Sequence, residues 1–343
     1  MRVLDFSLAQ SRWSRSVGGA LATIVLLLLT AHCSLLTLKA QTPEPLETLR
    51  IDTDLVNLNV SVFNRNRFQP AIPLQQKDFA VYENGVPQEI SFFASANTPF
   101  DLVLLLDLSA STHKKIEVIR KSARRFVDAA RPDDRIAVVT FTADVVVIST
   151  MTSDRKALKE RIDGIKNPTG GTNFWDALRF VLEHVLGQSR AEKRRSAVVV
   201  MSDGVDNALP DAYGDGSRTT FDELMQIIRK SDAIILPIYL DTEQEANLNS
   251  APKSAYALAR QQLAMIAAES GNQVYQARKV KDLEGVYEQV IQDLSTVYSL
   301  GYRPGNRVTD ASWRSITVQL VARPELGVRA RHGYYGAKNE PEK

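Results

Sequence analysis

Cysteine is almost absent from this 343-residue chain, since Cys33 is the only one and lies in an apolar stretch near the start. If the chain is cleaved after Ala40, no cysteine remains, which excludes disulfides, cysteine-ligated metals and a thiol nucleophile. The sequence also lacks the Gly-x-Ser-x-Gly elbow of many hydrolases and a Walker phosphate-binding loop. Stability must therefore come from core packing or from an oxygen-ligated metal.

No strong excess of charge of either sign is present. The formal net charge is +2, and the first 40 residues carry four basic side chains and one acidic one, which leaves 38 basic and 39 acidic beyond them. A nearly neutral chain gives no electrostatic reason to expect a nucleic-acid partner. With 44% apolar and 24% charged residues, the composition also excludes a collagen, a disordered acidic protein and a multi-span membrane protein.

The N-terminus has the pattern of an export signal. Three arginines precede an apolar run at residues 17–30, and small and polar residues follow it. We expect residues 1–40 to be a signal peptide cleaved after Ala40, and the protein to reach the periplasm, the cell envelope or the outside. Two alternatives stay open. The stretch could be an uncleaved anchor, since about 20 apolar residues span a bilayer, or Cys33 could carry a lipid.

Apolar strands alternate with amphipathic helices over residues 98–296, which predicts a doubly wound, mostly parallel sheet with helices on both faces. The predicted elements include a helix at 174–186. Strands with a period of two precede this α/β domain in residues 48–97 and follow it in residues 297–337, where the last strand is predicted at 328–335. We infer that these two sets of strands pair into a small β-sandwich into which the α/β domain is inserted.

Three oxygen-rich motifs stand at corresponding places of the α/β domain. Residues 107–111 (Asp-Leu-Ser-Ala-Ser) and 202–204 (Ser-Asp-Gly) directly follow continuously apolar strands, and residues 170–172 (Gly-Gly-Thr) open a helix. Ligands of doubly wound sheets bind beyond the carboxyl ends of the strands, where the strand order reverses. We therefore expect Asp107 and Asp203 to lie about 5 Å apart, one strand spacing.

The side chains of these motifs supply only oxygen donors, which suit Mg²⁺, with Mn²⁺ or Ca²⁺ as alternatives, rather than zinc or copper. Two carboxylates neutralise a dication, and one coordination position could stay open to an Asp or Glu of a partner. Taken singly, the motifs have simpler explanations, a helix N-cap for Ser111 and a strand-ending turn for residues 202–204. Together they favour a metal site, and its predicted ligands are Asp107, Ser109, Ser111, Thr172 and Asp203.

These five positions resemble the metal-ion-dependent adhesion site (MIDAS) of von Willebrand factor type A (VWA) domains, over about residues 98–296. The resemblance implies that the two serines and Thr172 contact the metal, and that the carboxylates act directly or through water. The flanking segments 77–85, 298–302 and 333–335 are similar to those of the exported bacterial VWFA-related (acidobacterial) family. The implied function is an exported adhesion protein that binds a partner's carboxylate through the cation, with no catalytic residues and no other cofactor.

Two other functions stay open, a Mg²⁺-dependent hydrolase and a structural envelope protein with a degenerate site. A phosphatase of the haloacid dehalogenase type needs a second aspartate where Ser109 stands, which argues against the first. The acidic loop beginning at Asp206 could hold a second cation, although a solvated loop is the simpler interpretation. Trp175 is predicted to pack in the core, and Arg194 and Arg195 to form a solvated basic turn.

Overall fold

The computed structural model describes residues 55–65, 73–109, 115–166, 170–187, 194–243, 251–279, 282–305 and 311–336. All of them belong to one compact unit, Asp54–Lys343. The predicted signal peptide and Ser111 lie outside the described residues. Among the helices of these ranges, none combines the length and the apolar character that a membrane span requires.

Within these ranges the chain forms fourteen strands and six α-helices. The strands are β1 (Val56–Asn64), β2 (Phe79–Glu83), β3 (Val86–Gln88), β4 (Ile90–Ala94), β5 (Phe100–Asp107), β6 (Arg135–Phe141), β7 (Val145–Thr152), β8 (Arg195–Ser202), β9 (Ile234–Leu240), β10 (Tyr275–Ala277), β11 (Val297–Tyr302), β12 (Trp313–Leu320), β13 (Leu326–Arg329) and β14 (Gly333–Tyr335). The helices are α1 (Ile116–Ala129), α2 (Arg155–Asp163), α3 (Phe174–Phe180), α4 (Phe221–Lys230), α5 (Lys253–Glu269) and α6 (Leu283–Leu294).

The central sheet has six strands in the order β10-β9-β8-β5-β6-β7, and every pair is parallel except β6 with β7. Strand β5 is buried along its whole length because helices cover both faces. Its even-numbered leucines pack in one core with α1, α2 and α6, whereas Val103 and Leu105 pack in a second core with α3, α4 and α5. Continuous burial explains why this strand is continuously apolar.

The chain also forms two antiparallel four-stranded sheets, in the orders β13-β1-β11-β4 and β14-β12-β2-β3. Each combines strands from before and after the α/β layer, for example through the pairs Val60 with Tyr298 and Val81 with Val318. The inward side chains of both sheets share one apolar core. The predicted fold class, a mostly parallel α/β sheet with antiparallel strands from both sides of it, is confirmed.

Two predicted elements differ from the structure. The predicted strand 328–335 is two strands in different sheets, because the chain between β13 and β14 turns away to pack on Gly271, where a Cβ would lie 2.5 Å from the backbone of Ala330. The predicted helix 174–186 keeps α-helical hydrogen bonds only to Phe180 and continues as a π-helical turn at Val181–Val185.

The base of the central sheet, where its parallel strands begin, holds a buried arginine. Arg195 opens β8 and is 6% exposed, and its guanidinium lies 4.1 Å from the centre of the Phe100 ring. It donates hydrogen bonds to the backbone carbonyls of Ala96, Thr98 and Val297. Burial lowers the pKa of Arg195 to about 9. Ala96 and Thr98 lie on the segment between β4 and β5, and Val297 is the first residue of β11, so Arg195 joins the two places where the chain passes between the central sheet and the antiparallel sheets.

The prediction that Arg194 and Arg195 form a solvated turn is wrong. Besides the contacts of Arg195, the Arg194 Nε lies 2.8 Å from a carboxylate oxygen of Asp101, which is 1% exposed. Both arginines are fixed in place because segments that are distant in the sequence bring carbonyl and carboxylate oxygens to the base of the sheet.

Replacing Arg195 by lysine is expected to lower the free energy of unfolding by about 2–4 kcal/mol, because a single ammonium cannot reach three carbonyls and leaves buried acceptors unpaired. Urea denaturation monitored by circular dichroism measures this loss. Arg161→Lys is the control, since Arg161 is exposed and makes one weak contact to the Ile148 carbonyl, and its effect should stay within about 0.5 kcal/mol. Equal stabilities of the two variants would contradict the role given to Arg195.

Candidate metal centre

Asp107 ends β5 and is completely buried at the carboxyl edge of the central sheet. Its Oδ1 accepts a hydrogen bond from the backbone N–H of Ser109 at 2.9 Å, and its Oδ2 accepts one from the Ser202 hydroxyl at 2.5 Å. Burial, and then the neighbouring carboxylate of Asp203, raise the pKa of Asp107 to about 7. The charged form of Asp107 is therefore disfavoured by its burial and by the neighbouring carboxylate.

Ser202 was not among the predicted ligands, yet it is the residue beside Asp107. Strands β5 and β8 are parallel, and Leu106 is in register with Met201, so the next residues, Asp107 and Ser202, stand side by side. The Ser202 hydroxyl donates to Asp107 and accepts the N–H of Gly204 at 2.8 Å. The contact between Ser202 and Asp107 follows from the register of β5 and β8. The Ser-Asp-Gly motif at 202–204 does not by itself predict it.

Asp203 follows β8 directly and is 2% exposed. Its Oδ1 accepts the N–H of Val205 at 3.1 Å, and its Oδ2 accepts the hydroxyl of Thr242 at 2.6 Å. The chain then turns at Gly204 with a φ of +74°, where an added Cβ would lie 2.7 Å from Leu263 Cδ1. Glycine is needed there for its backbone conformation and for space.

Thr172 is buried in the loop that precedes α3. Its carbonyl accepts the N–H of Asn207 at 2.9 Å, which ties this loop to the one after β8. The N–H of the next residue, Asn173, donates to the Thr142 carbonyl at 2.9 Å, and so connects the same loop to the end of β6. The loops that carry Asp107, Thr172 and Asp203 therefore meet at one edge of the sheet.

Four of the five predicted ligands lie in the described residues, and all four are buried: Asp107, Ser109, Thr172 and Asp203. The described residues contain no group of three or more His, Cys, Asp or Glu side chains that could hold a metal. A cation at this edge would thus depend on two carboxylates and on hydroxyl oxygens. Such a donor set fits a hard divalent cation, whose charge would offset the repulsion between the two aspartates.

The acidic loop that follows is held by its own first carboxylate. Asp206 is completely buried, and its two oxygens accept hydrogen bonds at 2.6–3.0 Å from the Trp175 N–H, the Ala208 N–H, and the N–H and hydroxyl of Ser217. Four protein donors therefore already bind the Asp206 carboxylate, which the hypothesis of a second cation needs as a ligand. Trp175, predicted to pack in the core, is 6% exposed and lies 5.8 Å from the Phe221 ring, as expected.

Residues 102–205, which span β5 to the turn after β8, match the family model of the von Willebrand factor type A domain. A UPF0353 protein of Nocardia farcinica is 25% identical over 239 residues, which cover 64% of this chain and 69% of that protein.

Solved structures similar to this chain include the vWF domain of the type V pili tip protein Mfa5 from Porphyromonas gingivalis. It is 16% identical with a TM-score of 0.44, over 57% of this chain and 94% of that one. Proximal thread matrix protein 1 of the mussel byssus, with a zinc-occupied MIDAS motif, is 19% identical with a TM-score of 0.44, over 61% of this chain and 48% of that one. The chain thus matches about half of the byssus protein.

The family match covers the strands and loops that carry Asp107, Thr172 and Asp203, so the similarity to von Willebrand factor type A domains falls on the part of the chain that holds the candidate metal centre.

Asp206→Asn is expected to lower the free energy of unfolding by about 3 kcal/mol, because an amide has one acceptor oxygen and would turn its NH₂ group towards two N–H or O–H donors. Urea denaturation measures the loss, and hydrogen exchange should show faster exchange across residues 206–219. Asp215→Asn is the matched control in the same loop, where the side chain is exposed. If both variants were as stable as the wild type, Asp206 would not be what holds the loop.

Proposed function

We propose that this protein binds a protein partner through a divalent cation held by Asp107, Ser109, Ser111, Thr172 and Asp203. The observation that carries the proposal is the pair of buried aspartates at the ends of β5 and β8, of which one raises the pKa of the other. Burial and mutual repulsion both disfavour the charged forms of two neighbouring carboxylates, and a cation bound by both would reduce that cost.

The cation proposed is Mg²⁺, with Mn²⁺ and Ca²⁺ as alternatives. Mg²⁺ prefers six oxygens and keeps several waters, which suits a site with two carboxylates and short hydroxyl side chains. When bound, the cation supplies a positive charge to which an acceptor of the partner can coordinate. The chain itself buries both carboxylates at the carboxyl edge of two neighbouring strands, away from bulk water.

The proposed partner is a protein that presents an Asp or Glu carboxylate. A charge-assisted contact of this kind is stronger than a neutral hydrogen bond, and it can be a hot spot at the centre of an interface. The loops at the carboxyl edge are joined by backbone hydrogen bonds, such as the one from Asn207 to Thr172. Hydrogen bonds that already join the loops reduce the entropy to be lost on binding, which supports a recognition role.

We further propose that the chain is exported by residues 1–40, and that its parts are the strand segments 48–97 and 297–337 around the interaction domain 98–296. The basic and apolar pattern of the N-terminus supports export. The pairing of β1 with β11 and of β2 with β12 supports the grouping of the two strand segments. Binding, rather than catalysis, is the role that the proposed site serves.

The proposal is tested with cations and one variant. At a cation concentration of about 100 times Kd, the free energy of unfolding of the wild type should rise by about 2.7 kcal/mol over its value in EDTA. Asp107→Asn should abolish that rise. At pH 8 in EDTA it should be more stable than the wild type, because it removes one of two adjacent buried charges, while the Ser202 hydroxyl can accept as well as donate. Urea denaturation measures all four values.

Asp211→Asn, in the exposed part of the acidic loop, is the control and should keep the cation response. Crosslinking pull-downs from envelope extract should capture a partner with Mg²⁺ and lose it both in EDTA and with Asp107→Asn. A wild type that responds to none of the three cations would contradict the proposal and favour a structural protein with a degenerate site. Mg²⁺-dependent phosphate release that Asp107→Asn abolishes would favour a hydrolase.

A further inference from the structure

A hydroxyl from outside the three motifs holds the Asp203 carboxylate. Thr242 follows β9 by two positions, is 2% exposed, and lies with its Oγ1 2.6 Å from Asp203 Oδ2. No spacing in the sequence connects it with the motifs at 107–111, 170–172 or 202–204. It reaches Asp203 because β9 is the parallel neighbour of β8, with Ser202 in register with Tyr239.

Tyr256 on α5 stands next to Thr242. It is 3% exposed, so burial raises the pKa of its hydroxyl, and the nearby Thr242 hydroxyl lowers it. A threonine hydroxyl has a single proton and a carboxylate can only accept, so the Thr242 proton lies towards Asp203 and the Thr242 oxygen is left able to accept from a neighbouring O–H.

The repulsion between Asp203 and Asp107 explains why a hydrogen bond to Asp203 matters. Asp203 and Asp107 repel each other, so a freely rotating Asp203 carboxylate would turn away from Asp107 when no cation lies between them. The Val205 N–H on Oδ1 and the Thr242 hydroxyl on Oδ2 oppose that rotation, because each fixes one oxygen. The two hydrogen bonds thereby hold the Asp203 carboxylate in one orientation.

We propose that Thr242, supported by Tyr256, is a positioning residue that orients Asp203 towards the cation. The inference rests on the proposed metal-dependent function and adds a residue to it. Thr242 does not contact the cation in this proposal, and it acts only through Asp203. Groups that orient metal ligands in this way typically change metal affinity by about 10- to 100-fold when they are removed.

The test uses the full chain and measures Mg²⁺ and Mn²⁺ affinity by calorimetry. Thr242→Val keeps the shape and removes the hydroxyl, and it should weaken binding about 10- to 100-fold. Thr242→Ser should restore most of the affinity. The matched control is Thr219→Val, which removes an equally buried hydroxyl beside a different carboxylate, that of Asp176, whose Oδ1 accepts the Thr219 backbone N–H at 2.8 Å; its cation affinity should equal that of the wild type.

Tyr256→Phe separates positioning from a general structural effect. It should weaken cation binding in the wild-type background but not in the Thr242→Val background, because its influence passes through Thr242. Thermal unfolding in EDTA shows whether each variant folds, and if Thr242→Val does not, the comparison rests on Thr242→Ser and Tyr256→Phe.

The outcomes distinguish the two proposals. A wild type that binds neither Mg²⁺ nor Mn²⁺ overturns the proposed function. A wild type that binds a cation with the same affinity as folded Thr242→Val, or as Tyr256→Phe when only that variant folds, overturns the positioning role alone. A Tyr256→Phe effect that persists unchanged after Thr242→Val also overturns it. Loss with Thr242→Val, recovery with Thr242→Ser and an unchanged Thr219→Val together support it.

Discussion

Repulsion between two buried carboxylates is the constraint around which the carboxyl edge of the central sheet is organised. Strands β5 and β8 are neighbours and parallel, so Asp107, which ends β5, and Asp203, which follows β8, come to the same edge. The hydrogen bonds described for these two side chains come from N–H or O–H groups of Ser109, Ser202, Val205 and Thr242. Neutral donors reduce the unfavourable energy of the pair but do not cancel its charge.

Much of this architecture could be predicted from the sequence, because the patterns that specify it are local. A run such as Leu102–Leu106 has no polar residue to expose, so it must be covered on both faces, and alternation in residues 55–63 leaves one face for a partner sheet. The same reasoning predicted that strands from both ends of the chain pair, and it placed Asp107 and Asp203 at the same strand ends. The prediction of a single strand at 328–335 was wrong, because a contact with Gly271, which is distant in the sequence, bends the chain there.

What the sequence could not predict depends on single groups whose partners come from far along the chain. Arg195 has the local character of a surface residue, yet three carbonyls from the connections to β5 and β11 keep it at the base of the sheet. Asp206 has the local character of a solvated acid, yet donors from α3 and from Ser217 surround it. Thr242 belongs to no motif or periodic pattern that would connect it with the site. The position of a hydroxyl or a guanidinium depends on a few hydrogen-bond partners, and these partners come together only after the strands have taken their register.

The pairing of the two outer sheets has a consequence for the order in which the molecule can fold. Ser299 and Asn59 share a hydrogen bond although they stand 240 positions apart, so β1 has no strand partner until β11 has been synthesised, and the hairpin of β2 and β3 lacks its neighbour β12 until later still. The central sheet, whose strands occupy one continuous stretch between them, meets no such delay. Contacts between distant segments form slowly, and the antiparallel layers therefore close last, with the apolar faces of the earliest strands uncovered while synthesis continues.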